Sequence, residues 1–139
     1  MTPPEASRFA PLDRAISTYT TALLKRGFAP VSQFEDMDRG YAERTYMLDH
    51  IVLKAIYERG LAYLEIGCSD EPDRMVEASG FRDLLDPPAQ GHWSLGMGGA
   101  AAFIDAHWDT VYDLLRPSNW PQARARILGF RRHLAQGGQ

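Results

Sequence analysis

Two alternating runs, residues 51–58 and 61–67, flank the tripeptide Glu58-Arg59-Gly60, and this arrangement constrains the fold more than any other part of the sequence. Side chains on a strand point to opposite faces in turn. In the first run Ile51, Leu53, Ala55 and Tyr57 therefore share one face, and Val52, Lys54, Ile56 and Glu58 share the other. In the second run Leu61, Tyr63 and Glu65 oppose Ala62, Leu64 and Ile66. A short loop ending in glycine suits a hairpin closed by a type I turn and a G1 bulge, whose last position needs φ > 0. Residues 41–48 have the same β character and place another strand before the hairpin. Both faces of these strands are partly apolar. One helix covers one face only, so the sequence predicts cover on both sides of the sheet or an oligomer contact.

Helical spacing appears on either side of this β segment. Leu12, Ala15, Ile16, Tyr19, Ala22 and Leu23 predict a helix over 11–26. Lys25 and Arg26 in its last turn and Gly27 at its end are a favourable stop, with Phe28 folding back beyond it. Residues 1–10 read as a disordered lead-in and 31–40 as a loop or ragged strand. A short helix is expected from Pro72, interrupted at Gly80, and one more apolar turn at Phe81, Leu84 and Leu85 ends at Pro87-Pro88. Ile104, Trp108, Val111 and Leu115 predict a helix over 99–115. Trp120, Ala123, Ile127, Phe130 and Leu134 predict another over 119–135, with Ser118 or Asn119 as its cap. The short link between them predicts an antiparallel pair. The fold class expected is therefore α+β: an antiparallel β-meander of three to four strands, an N-terminal helix and a C-terminal antiparallel helix pair. Residues 11–136 form a single domain in this reading.

Charge is unevenly spread along the chain. Residues 28–115 carry 16 acids against 6 Lys and Arg, whereas 116–139 carry five arginines and no acid. The whole has a net charge of −3 and a pI near 5.8. That balance, with no aromatic platform among Arg124, Arg126, Arg131 and Arg132, argues against a nucleic-acid partner. The lone Cys68 forms no internal disulfide and fits a reducing compartment. No stretch approaches a membrane span, and no secretory leader is visible, so a cytoplasmic location with no membrane partner is expected.

Several strings look chemical and fail on geometry. Gly96-Met97-Gly98-Gly99-Ala100-Ala101 matches G-x-G-x-x-A, but no good strand precedes it and no βαβ unit follows. It reads as a hinge before a helix. Asp105, His107 and Asp109 do not converge on one ion, because His107 lies about 200° from Asp105 around a helix. Asp36-Met37-Asp38-Arg39-Gly40 lacks the glycine and glutamate positions of a calcium loop. The four histidines have no metal spacing, so neither a metal nor a cofactor is expected.

Two groups of acids remain. Asp105, Asp109 and Asp113 form an i, i+4, i+8 stripe, and Asp70, Glu71 and Asp73 sit on the loop after the sheet. Both groups would supply an acidic surface for a basic partner, with the stripe alternatively meeting the arginines of the last helix. The loop acids are expected to stay free for that partner. His50, His92 and Trp93 are the residues a small-molecule pocket near the 89–99 loop would use.

The order of elements carries a resemblance. A leading helix ends in Arg26-Gly27-Phe28, a meander contains Tyr57-Glu58-Arg59-Gly60-Leu61, and helices with scattered Trp and Leu close the chain. Over roughly residues 12–135 the chain resembles a set of small bacterial α+β proteins, some of them similar to immunity proteins of polymorphic toxin systems. The resemblance is architectural, and no functional residue is transferred by it. It implies a non-enzymatic protein-binding module, an immunity-type inhibitor with an acidic recognition surface. The alternatives are a small enzyme or ligand binder with a pocket near 89–99, and a structural subunit that forms a homodimer.

Overall fold

The computed structural model describes residues 9–86 and 96–135. In chain order these form α1 (Ala10–Tyr19), α2 (Thr21–Leu24), β1 (Ala29–Asp36), β2 (Tyr41–Leu48), β3 (Ile51–Glu58) and β4 (Leu61–Cys68). Then come β5 (Val76–Glu77), α3 (Gly80–Leu85), α4 (Met97–Ala106), α5 (Trp108–Leu114) and α6 (Trp120–Ala135). The strands make one antiparallel sheet in the order β1-β2-β3-β4-β5. The class is α+β as expected, with helices at both ends of the chain, but the sheet has five strands where three to four were expected.

Strand β1 was legible only as the ragged alternative to a loop, and β5 not at all, for physical reasons. None of the side chains of β1 is buried, so burial imposed no alternation on them. A bulge between Pro30 and Ser32 also breaks the period. In place of the helix expected at Pro72, the chain turns and comes back along β4, and Val76 pairs with Ile66. Gly67 makes that return possible, since a Cβ there would stand 3.1 Å from the Met75 Cα.

The hairpins are tight. Glu58 pairs with Leu61, so Arg59 and Gly60 are the whole loop, and both have positive φ, 51° and 87°. That is the type I′ pattern, whose twist matches the strands. It replaces the expected type I turn with a bulge. Leu48 pairs with Ile51 across a second two-residue loop, in which Asp49 has φ 52°.

All the described helices pack on one face of the sheet. Ile51, Leu53 and Ala55 of β3 and Leu64, Ile66 and Cys68 of β4 meet Leu12, Ile16 and Leu23 below α1 and α2. Ala100, Ile104, Val111, Leu115, Ala123 and Ile127 complete the core from α4, α5 and α6. Phe9 is also in the core, edge-on to Tyr57. The expected N-terminal helix is split at Thr20, whose hydroxyl donates to the Ile16 carbonyl at 2.6 Å. Thr21 does the same to Ser17 at 2.5 Å, and such back-bonding competes with the helix ladder. The helix expected over 99–115 is likewise broken, at His107, where ψ is 29° and a ring nitrogen bonds the Phe103 carbonyl.

A glycine in the first turn of α4 allows helix packing. A Cβ on Gly98 would stand 2.8 Å from the Tyr19 ring, so glycine lets α4 approach α1. The last helix packs chiefly on α3 rather than α5. Trp120, fully buried, stacks on Phe81 at 6.0 Å and donates its indole N–H to the Arg74 carbonyl. Trp108, expected to be equally buried, is half-buried between Phe28 and the Arg26 guanidinium. Asn119 uses its side-chain amide to close the end of α5, donating to the Asp113 carbonyl at 2.8 Å.

Candidate functional site: the open face of the sheet

With every helix on one side, the other face of the sheet is left uncovered by secondary structure among the described residues. Register fixes its membership. Phe34, Glu43, Ile56 and Tyr63 form one row across β1 to β4, and Asp36, Tyr41, Glu58 and Leu61 form the next. Ser32, Thr45, Lys54, Glu65 and Glu77 form a third, and Ala29, Met47, Val52 and Gly67 a fourth. The strands therefore place five carboxylates and one ammonium on this face.

The apolar residues of the face fall into two kinds. Val52 and Ile56 are buried, 6% and 2% exposed, yet belong to no part of the core under the helices. Leu61 and Phe34 are 70% and 52% exposed. Phe34 leans on the Tyr41 ring at 6.2 Å, and the Arg39 guanidinium lies 5.9 Å from the same ring.

The polar residues are organised into pairs. The Tyr41 hydroxyl donates to Glu43 at 2.8 Å, and Lys54 reaches the other oxygen of Glu43 at 3.3 Å. The Tyr63 hydroxyl donates to Glu58 at 3.0 Å. Ser79 donates to Glu77. Both phenols are pushed well above their ordinary range, first by burial and then by the carboxylates they serve. The Glu65 carboxyl is pushed up by desolvation, eased by Lys54, and raised again by Glu43, Glu77 and Glu58. A half-buried carboxylate among three others is short of positive charge, and one lysine does not supply it.

The acids singled out from sequence lie elsewhere and are not brought together. Asp70, Glu71 and Asp73 occupy the turn between β4 and β5, with Asp70 and Asp73 exposed. None of the three forms an ion pair among the described residues. The break at His107 puts Asp105 on α4 and Asp109 and Asp113 on α5, so the stripe is not one continuous ridge. Asp105 pairs with Arg26 at 2.6 Å, and Asp113 pairs with Arg116 at 3.0 Å. Neither partner belongs to the last helix, whose Arg124 and Arg126 form no ion pair among the described residues. Arg26, His107, Trp108 and Asp109 line an open cleft of about 410 Å³ at the break.

His50 is committed to packing. Its ring nitrogen meets the Tyr112 carbonyl at 3.0 Å, its ring lies edge-on to Tyr112, and the Tyr112 hydroxyl bonds Asp49 at 2.7 Å. His92 and Trp93 lie outside the described residues. No group of three or more metal-ligating side chains occurs among the described residues. No described helix is long and apolar enough to cross a membrane.

The open face could have been sought in the sequence. Val52, Lys54, Ile56 and Glu58 were legible as one strand face, but Glu43, Tyr41 and Glu77 join them only through register. No protein-family model, curated protein or solved structure matches this chain.

Proposed function

We propose that this chain is a protein-binding module that receives a basic partner on the open face of its sheet. The observation that carries the reading is the combination on that face of exposed apolar side chains with an excess of carboxylates. Leu61 and Phe34 offer apolar area, and Tyr41 and Tyr63 offer rings with polar tips, the residue types that anchor interfaces. Asp36, Glu43, Glu58, Glu65 and Glu77 surround them, with Lys54 as the one opposing charge that the strands place on this face. A cationic partner relieves the repulsion at Glu65 and gains steering from the acidic field. An immunity-type inhibitor that covers a cationic toxin domain is the specific form of this reading that the resemblance in element order suggests.

The test is site-directed photo-crosslinking in cells that make the protein, with a benzophenone amino acid in place of Leu61. A partner protein should cross-link there and should be lost in Glu58→Gln/Glu65→Gln. The same probe at Thr110, on the helical side, should not capture it. Capture that ignores the two neutralised acids, or equal capture from Thr110, overturns the reading.

A further inference from the structure

The sheet has two edges, and they are unlike. At one, β5 is two residues long and leads directly into α3. At the other, β1 runs for eight residues, pairs with β2 on one side only, and has no buried side chain. A long exposed edge strand is a template for another strand, and proteins usually blunt it with Lys, Pro or a bulge. Here the protection is partial. Pro30 and the bulge before Ser32 blunt the N-terminal part. Residues 32–36 keep a regular register with β2 and contain neither Lys nor Arg.

We propose that β1 is a homodimer interface, in which Ser32–Asp36 pairs antiparallel with the same segment of a second copy about a two-fold axis at Phe34. The two five-stranded sheets then become one of ten strands. The segment selects both this occupant and this register. Pro30 and the bulge exclude pairings centred further towards the N-terminus. A centre at Glu35 sets that carboxylate against its own copy, which is unfavourable for directly opposed like charges. The Phe34-centred register leaves no like charges opposed. Phe34 meets Phe34, Gln33 meets Glu35, and Ser32 meets Asp36, each pair repeated by the two-fold axis as an isologous contact requires. The Phe34 rings continue the contact each already makes with Tyr41. The Glu35 Oε2 is held by the Arg44 guanidinium at 2.7 Å on the helical side, leaving its other oxygen for the Gln33 amide. The nearest acids on β2, Glu43 of the two copies, stand three strand spacings apart, about 14 Å. That exceeds the Debye length of about 8 Å at physiological salt, so they do not oppose pairing. Dimerisation sets the two open faces side by side with Phe34 at their seam and leaves Leu61 and Tyr63 uncovered, and because it rests on the edge of β1 it does not depend on the reading of that face as a docking site.

The experiment is sedimentation velocity of the full chain from about 1 to about 100 µM, the range in which a small interface dissociates. The expected result is a concentration-dependent shift from the 15.6 kDa monomer to twice that mass. Phe34→Lys places an ammonium against its copy at the axis and should weaken the dimer by at least tenfold, with an unchanged circular dichroism spectrum. Phe34→Cys gives the position-specific test. Directly opposed antiparallel residues have Cα separations compatible with a disulfide, and Cys68 is only 1% exposed. Mild oxidation should therefore give a disulfide dimer in Phe34→Cys and none in a Thr110→Cys control. A wild type that stays monomeric throughout, or a dimer unaffected by Phe34→Lys and unlinked by Phe34→Cys, overturns the proposal.

Discussion

The β3–β4 turn allows two substitutions one residue apart to be predicted with opposite signs. Gly60 has φ 87°, and nothing lies within 4 Å of where its Cβ would stand. Gly60→Val therefore meets no steric obstacle from the rest of the protein. Its cost is conformational, about 1–2 kcal/mol for a side chain in the left-handed region, towards the upper end for a β-branched one. Arg59 already bears such a cost at φ 51°. It is exposed and forms no ion pair among the described residues, and its backbone N–H bonds the Gly40 carbonyl at 3.1 Å. Arg59→Asn keeps that bond, tolerates the dihedral, and creates the Asn-Gly pair favoured in type I′ turns, so it should stabilise by roughly 0.5–1 kcal/mol. For a chain of this length 1 kcal/mol moves Tm by about 3–5 °C. Paired thermal melts should therefore separate the two variants by about 5–15 °C, with urea melts in the same order. A neutral Gly60→Val, or an Arg59→Asn that melts below wild type, would refute the turn assignment.

The two indoles give a second contrast. Trp120→Ala should cost roughly 3–5 kcal/mol by chemical denaturation, whereas Trp108→Ala should cost clearly less, because only Trp120 is fully buried. In the intact protein, iodide should quench Trp108 and spare Trp120. Gly67→Ala drives a methyl into Met75 at 3.0 Å from Cγ and 3.1 Å from Cα, and should destabilise by about 1–3 kcal/mol in the same melts. Glu65 supplies the pH test. Its carboxyl titrates higher folded than unfolded, so its unfavourable ionisation is absent below the unfolded value near 4 and grows as pH rises through the folded value. Glu65→Gln should raise Tm at pH 7 and lose that advantage below about pH 4. An equal effect at both pH values would show that charge is not the cause.

Local pattern carried the centre of this fold. The extents of β2 and β3, and the start of β4, could be read from alternation, because burial on the helical face demands it at every second residue. Gly27, Phe28 and Gly60 were legible for the same kind of reason: a positive φ or a helix stop is a local requirement. The breaks at Thr20 and His107 were not legible, since a back-bonded side chain competes with the helix ladder without altering the apolar period. Strand β1 could be read only as a loop or ragged strand because it buries nothing, and β5 was hidden because two residues make no pattern.

What the sequence determined by itself is the β-meander, the helices around it and the acidic bias of the central segment. What only the tertiary structure decided is where those charges go. Sequence neighbours suggested that Asp105, Asp109 and Asp113 would meet the arginines of the last helix; among the described residues Asp105 pairs with Arg26 and Asp113 with Arg116, and the side chains of Arg131 and Arg132 lie outside the described residues. The acids that gather on one surface, Glu43, Glu58, Glu65 and Glu77, come from four strands and meet only across the sheet. Which face of each strand the helices cover is a global choice, made by the burial of Leu53, Leu64 and Ile66. That choice sends their neighbours Lys54, Tyr63 and Glu65 to the open side, because alternate residues on a strand have no other place to go.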